Sequence, residues 1–146
     1  MNKRLGIAAL GGVGVLAAGA AVVPAALAAP RTTSHTLHVT SVVQKQRQLG
    51  RGTFLQDEKD LRNGKVIGFD VVRFQSTSNS TAAGRVAFAG KGGFLFGKLS
   101  INFNSPTFHG TVTGGTGAYK GATGTISGKE LNSAGTRTAV TLKFTT

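Results

Sequence analysis

From Thr36 onward, apolar and polar residues alternate with a period of two, a pattern that specifies β-strands with one buried face. Val86 and Phe88 alternate with Arg85 and Ala87, and Thr138, Val140, Leu142 and Phe144 alternate with Arg137, Ala139, Thr141 and Lys143. Turn-forming clusters interrupt these runs at Asn63-Gly64, Ser78-Asn79-Ser80, Gly90 to Gly93, Asn104-Ser105-Pro106, Gly114 to Gly117 and Asn132 to Gly135. The intervals predict eight strands, near 34–45, 51–57, 65–74, 83–89, 92–103, 107–113, 121–131 and 137–145. Short strands at hairpin spacing, with no amphipathic helix, make an all-β sandwich or closed barrel. Eight strands closed on themselves leave an interior just wide enough for side chains or one small ligand.

Two segments are apolar on both faces. In residues 66–74, Ile67, Phe69 and Val71 oppose Val66, Val72 and Phe74; in residues 93–103, Leu95, Leu99, Ile101 and Phe103 oppose Phe94 and Phe96. Such strands are expected to face a core on one side and a neighbouring layer or subunit on the other, which leaves a homo-oligomer open.

The first 28 residues read as an exported leader. Lys3 and Arg4 precede an Ala/Gly/Val/Leu run from Leu5 to Val23, Pro24 breaks it, and Ala26-Leu27-Ala28 is a small-x-small cleavage pattern. The expectation is a secreted, bacterial-type protein with a cleaved signal peptide at 1–28 and one domain at 29–146; a retained membrane anchor is the alternative.

With Lys3 and Arg4 in the leader, 17 Lys and Arg against 5 Asp and Glu leave the remainder strongly cationic. That charge attracts anionic surfaces such as wall polymers and lipid headgroups. The basic residues are spread without interleaved aromatics, which argues against specific nucleic-acid binding. The absence of cysteine excludes disulfides and thiolate chemistry. With no tryptophan and Tyr119 as the single tyrosine, an aromatic sugar-binding platform is disfavoured. His35 and His38 lie on opposite faces of a strand, so no metal site is expected. The cluster Asp57-Glu58-Lys59-Asp60 lacks the glycine and ligand alternation of a calcium loop and is expected to form a solvated loop.

Inward-facing ionisable groups are the candidates for chemistry, because burial shifts their pKa. Asp70 shares strand parity with Val66, Val72 and Phe74, and Glu130 shares it with Ala122 and Ile126. The expected catalytic set is Asp70 and Glu130 as base or cation stabiliser with Tyr119 as donor, against the alternative that each acid pairs with a nearby cation.

The segment Phe108 to Glu130, FHGTVTGGTGAYKGATGTISGKE, resembles the glycine-rich strand-turn-strand of the allene oxide cyclase and dirigent barrels. Gly114-Gly115-Thr116-Gly117-Ala118-Tyr119 matches their Gly-Gly-Ser/Thr-Gly-x-Phe/Tyr turn, and Gly121-Ala122-Thr123-Gly124 matches the strand that follows. Gly114, Gly115 and Gly117 are read as positive-φ positions, and Gly121 and Gly124 as sites of bending or close approach. The resemblance implies an eight-stranded antiparallel β-barrel, calycin-like in shape, that binds a small hydrophobic molecule. It also implies cofactor-free cyclisation or isomerisation, with no cofactor required. The family's own catalytic residues do not carry over: the cyclase cysteine has no counterpart, and Thr123 and Thr40 occupy the slots of the dirigent arginine and first-strand acid. The second functional expectation is a non-catalytic basic envelope protein that binds anionic surface polymers.

Overall fold

A computed structural model describes residues 32–146, so the leader and its cleavage site lie outside the described residues. Eight strands follow one another: β1 (Ser34–Gly50), β2 (Thr53–Arg62), β3 (Lys65–Ser76), β4 (Thr81–Gly90), β5 (Gly93–Asn102), β6 (Thr107–Gly115), β7 (Thr123–Glu130) and β8 (Arg137–Thr145). Each pairs antiparallel with its sequence neighbours, and β8 closes on β1 to complete a barrel. Closure leaves no sheet edge unpaired, which removes the usual route to edge-to-edge aggregation.

The turns follow from local chemistry. Asn63 and Gly64 both take positive φ (51° and 76°), as a two-residue hairpin requires. Ser78 Oγ accepts the backbone N–H groups of Ser80 and Thr81, fixing the β3–β4 turn. Between β6 and β7, a single 3₁₀ turn (Gly117–Tyr119) folds back onto the β4–β5 turn, where Ala118 N–H donates to the Gly92 carbonyl at 2.8 Å. Gly117 takes positive φ there, whereas Gly115 does not; a Cβ on Gly115 would meet the Phe94 carbonyl and Tyr119. The expected left-handed role of Gly115 is therefore replaced by close approach.

Inside the barrel, Val72, Phe88, Leu95, Leu99, Val112, Ile126, Leu142 and Phe144 form the core. Burial of side chains of this size contributes about 1.5–3 kcal/mol each. Glycines face inward beside several of these rings. A Cβ on Gly68 would come within 2.7 Å of the Phe88 ring, and one on Gly128 would overlap the ring of Phe108. Small residues thus make room for large neighbours on adjacent strands, and the lumen is shaped rather than uniformly filled.

The structure corrects the expected loop at residues 57–60. These positions are strand, because β2 runs unbroken to Arg62 with Glu58 opposite Asp70 and Asp60 opposite Gly68. β1 likewise runs beyond the expected end at 45, to Gly50, and shifts register between Val43 and Lys45. That bulge reverses which parity faces inward, so Val39 and Ser41 line the lumen before it and Gln46 after it.

The outward apolar residues of β3 and β5 remain exposed, with Phe69 at 59%. Register aligns Phe69, Ala89 and Phe94 in one outer row and Val71, Ala87 and Phe96 in the next. Among the described residues, no second layer covers this face.

Candidate functional site

Alternate connections of an up-and-down barrel lie at opposite ends. The turns after β2, β4 and β6 share one end, where the 3₁₀ turn and Tyr119 pack over the core and the Tyr119 ring meets Phe144 edge-on at 5.8 Å. The turns after β1, β3, β5 and β7 share the other. A cavity of about 280 Å³ extends from the core toward that second end, where Phe54, Ser76, Phe103, Glu130 and Thr138 line it.

The walls of this cavity differ. Most of the polar groups stand on β1–β3, where Ser41, Gln46, Gln56, Glu58, Asp60 and Asp70 are interspersed with Val39, Phe54, Val72 and Phe74; β4–β8 present Val86, Phe88, Leu95, Leu99, Phe108, Ile126, Val140 and Leu142, with Glu130 and Thr138 at the mouth. Gln56 donates to Gln46 Oε1 at 3.2 Å. Among the described residues no Lys, Arg or His lines the cavity, and none of them pairs with its acids.

Deepest in the polar wall, Ser41 Oγ donates to Asp60 Oδ1 at 2.6 Å. Asp60 is fully buried, and Asp70, on the adjacent strand, is 8% exposed. Their carboxyl groups lie within hydrogen-bonding reach of each other, while Asp60 Oδ2 and Asp70 Oδ1 receive no donor from any other group. Two carboxylates placed this way would repel each other, whereas one proton held by the pair relieves that repulsion. Burial is the main cause that raises the pKa of Asp70, to about 9, assisted by the charges of Glu58 and Asp60 and by the hydrogen bond to Asp60. Asp60 is also raised by burial, against the opposing hydrogen bonds from Ser41 and Asp70. Glu58 is pushed up to about 7, by burial and then by the charge of Asp60. At neutral pH, Asp70 therefore holds a proton and faces Asp60, the acceptor of the Ser41 hydroxyl.

Of the three residues expected to act together, the barrel brings Asp70 and Glu130 to the same cavity at different depths, Glu130 standing exposed at the mouth. Tyr119 lies at the closed end and does not line the cavity. The expected alternative of salt bridges does not describe Asp70, whose surroundings are carboxyl groups and apolar side chains. Ser41, Glu58 and Asp60 were not anticipated. The signal for the two acids was their shared parity with Phe54 and Gln56, masked because Leu55 and Leu61 offer an equally apolar opposite face.

No family model matches the chain, and no curated protein is significantly similar to it. Solved structures do resemble the barrel. One is titled pyocyanin demethylase (TM-score 0.64, 16% identity, 75% of this chain and 99% of that one). A second is an exo-specific intermolecular Diels-Alderase (TM-score 0.60, 7% identity, 78% and 99%). A third is a pterocarpan synthase dirigent protein (TM-score 0.63, 18% identity, 84% and 92%). At these identities the likeness speaks to architecture alone: this chain is a closed eight-stranded antiparallel barrel, similar in fold to these proteins.

Proposed function

We propose that the lumen binds a small, largely apolar molecule and guides its isomerisation or cyclisation, with the Asp60/Asp70 pair as the proton donor and acceptor. The observation that carries this reading is the buried carboxyl pair, without a cationic partner among the described residues, at the inner end of a cavity with an extensive apolar wall. Burying carboxyl groups without compensating cations opposes folding, so such a cluster is a mark of a functional site. Asp70 in its neutral form can donate to an oxygen or nitrogen of the bound molecule. Asp60, oriented by Ser41, can accept a proton in return. The apolar wall holds the molecule in one conformation and excludes water, lowering the entropic part of a cyclisation barrier. The neighbouring folds titled as a Diels-Alderase and a pterocarpan synthase dirigent protein support a barrel of this shape as a vessel for such steps. The reading includes export of the domain after removal of the leader.

The test is fluorescence binding of the neutral apolar probe N-phenyl-1-naphthylamine. Wild type should bind it at one site, and Ile101→Trp, which fills the cavity, should abolish binding while circular dichroism stays unchanged. Thr138→Trp at the mouth serves if the first variant does not fold. Probe binding that survives in a folded, filled variant removes the lumen from consideration.

A second reading rests on the outside of the barrel. Glu58, Asp60, Asp70 and Glu130 line the cavity, which leaves Asp57 as the outward acid, 3.7 Å from Arg47. Register sets Arg73, Arg85 and Lys98 side by side, and like charges directly opposite one another repel. An anionic polymer or lipid surface would relieve that repulsion. Retention on anionic vesicles that falls at high salt supports this role, and retention equal on neutral vesicles opposes it.

A further inference from the structure

We infer that the lumen is selective for apolar molecules carrying a basic nitrogen, which enter as the neutral base and are held as the cation against the Asp60/Asp70 pair. This rests on the reading of the lumen as a small-molecule site and adds the chemical class it accepts.

Three observations lead there. First, the charges are segregated: four of the chain's five acids line the cavity, and among the described residues no basic side chain does. A carboxylate ligand would meet only like charge inside, and no group could neutralise it. Second, Asp60 Oδ2 and Asp70 Oδ1 are buried acceptors without a donor among the described residues, which the N–H of a bound cation would supply. Third, three of these acids converge from adjacent strands. Glu58 and Asp60 come from β2, Asp70 from β3 opposite Glu58, Ser41 from β1 opposite Asp60, and Phe88 from β4 opposite Asp70. The groups facing Asp70 are thus two carboxyls, one hydroxyl and one aromatic ring, with no competing cation.

The proton balance is simple. The nitrogen lone pair takes the proton of the Asp70 O–H bond, leaving a carboxylate on Asp70 and a charge-assisted N–H bond in place of the shared proton. Asp70 holds that proton at neutral pH in the empty cavity, and its transfer is driven by the ion pair that forms, because a cation beside Glu58, Asp60 and Asp70 replaces the like-charge repulsion that helps keep Asp70 protonated. The cationic exterior favours entry of the uncharged base over a preformed cation.

Acridine tests this directly, since its neutral and protonated forms emit at different wavelengths. At a pH where free acridine is neutral, wild-type protein should bind it with the emission of acridinium. Anthracene, the same shape without nitrogen, should bind about ten- to a hundredfold more weakly, the worth of one buried charge-assisted hydrogen bond. Anthracene-9-carboxylate should not bind. In the double variant Asp60→Asn/Asp70→Asn, bound acridine should emit as the neutral form. Anthracene binding as tightly as acridine, with neutral emission, overturns the selectivity and leaves the lumen site standing. Acridinium emission that persists in the double variant overturns the assignment to this pair. Failure of all three probes to bind overturns the selectivity together with the small-molecule reading.

Discussion

The two walls of the lumen were built by opposite physical rules. β4–β8 line it with buried aliphatic and aromatic side chains, set against inward glycines that let them interlock. β1–β3 add three carboxyl groups, two amides and the Ser41 hydroxyl among Val39, Phe54, Val72 and Phe74, and Asp60 and Ser41 are almost completely buried. The first wall stabilises the barrel by removing apolar area from water. The second opposes folding, because charge is disfavoured where water is excluded. The difference separates side chains that stabilise the barrel from carboxyl groups that cost it stability, although neighbouring strands of one sheet carry both.

The largest expected effect tests the apolar wall. Phe88 is buried and its ring fills the space over Gly68, so Phe88→Ala should destabilise the protein by about 3–5 kcal/mol in urea unfolding. A loss below about 1 kcal/mol would erase the contrast, since the polar wall would then carry a comparable share of the stability.

The opposite sign is expected across the lumen. Below the unfolded-state pKa of Asp70, 3.8, folded and unfolded chains both hold its proton; above it, only the folded chain does, until about pH 9. Stability from this group is therefore fully present in acid and lost as pH rises through that window. Asp70→Asn keeps a donor for Asp60 and removes the titration. It should stabilise the protein by roughly 2–4 kcal/mol at neutral to alkaline pH and flatten its stability profile, as followed by thermal unfolding across pH. A variant less stable than wild type at alkaline pH would show that the carboxyl pair supports the fold.

A smaller change sharpens the picture within the polar wall. Ser41→Ala removes the 2.6 Å donor to Asp60 and should cost about 1–2 kcal/mol, with the Asp60 pKa raised further, measurable by carbon-13 NMR titration of the carboxyl groups. The smallest effect belongs to the closed end. Tyr119→Phe keeps the edge-on contact with Phe144 and should change stability by less than about 1 kcal/mol. Binding of N-phenyl-1-naphthylamine should also be unchanged, because Tyr119 does not line the cavity. A binding defect in Tyr119→Phe would couple the two ends of the barrel.

Much of the architecture was legible in local pattern. Val86/Phe88 and Val140/Leu142/Phe144 alternate cleanly, so β4 and β8 could be placed with their inner faces assigned. Asp70 was legible for the same reason, since Val72 and Phe74 anchor its parity. Residues 53–62 offered no such anchor. Phe54 and Gln56 on one parity compete with Leu55 and Leu61 on the other, and the charged run 57–60 resembles a solvated turn. Tyr119 shows the converse error: a turn motif located it along the chain but carried no information on which end of the lumen it would occupy.

The sequence by itself determined eight strands, every turn after the second strand and the inner face of most, because side-chain alternation and turn geometry depend on residues only a few positions apart. Tertiary structure alone decided that β2 turns Glu58 and Asp60 inward, that a bulge in β1 changes parity, and that Ser41, Asp60 and Asp70 meet. Those outcomes depend on register between strands and on ring closure. Neither is encoded within one strand, and together they set which groups leave water at the same place.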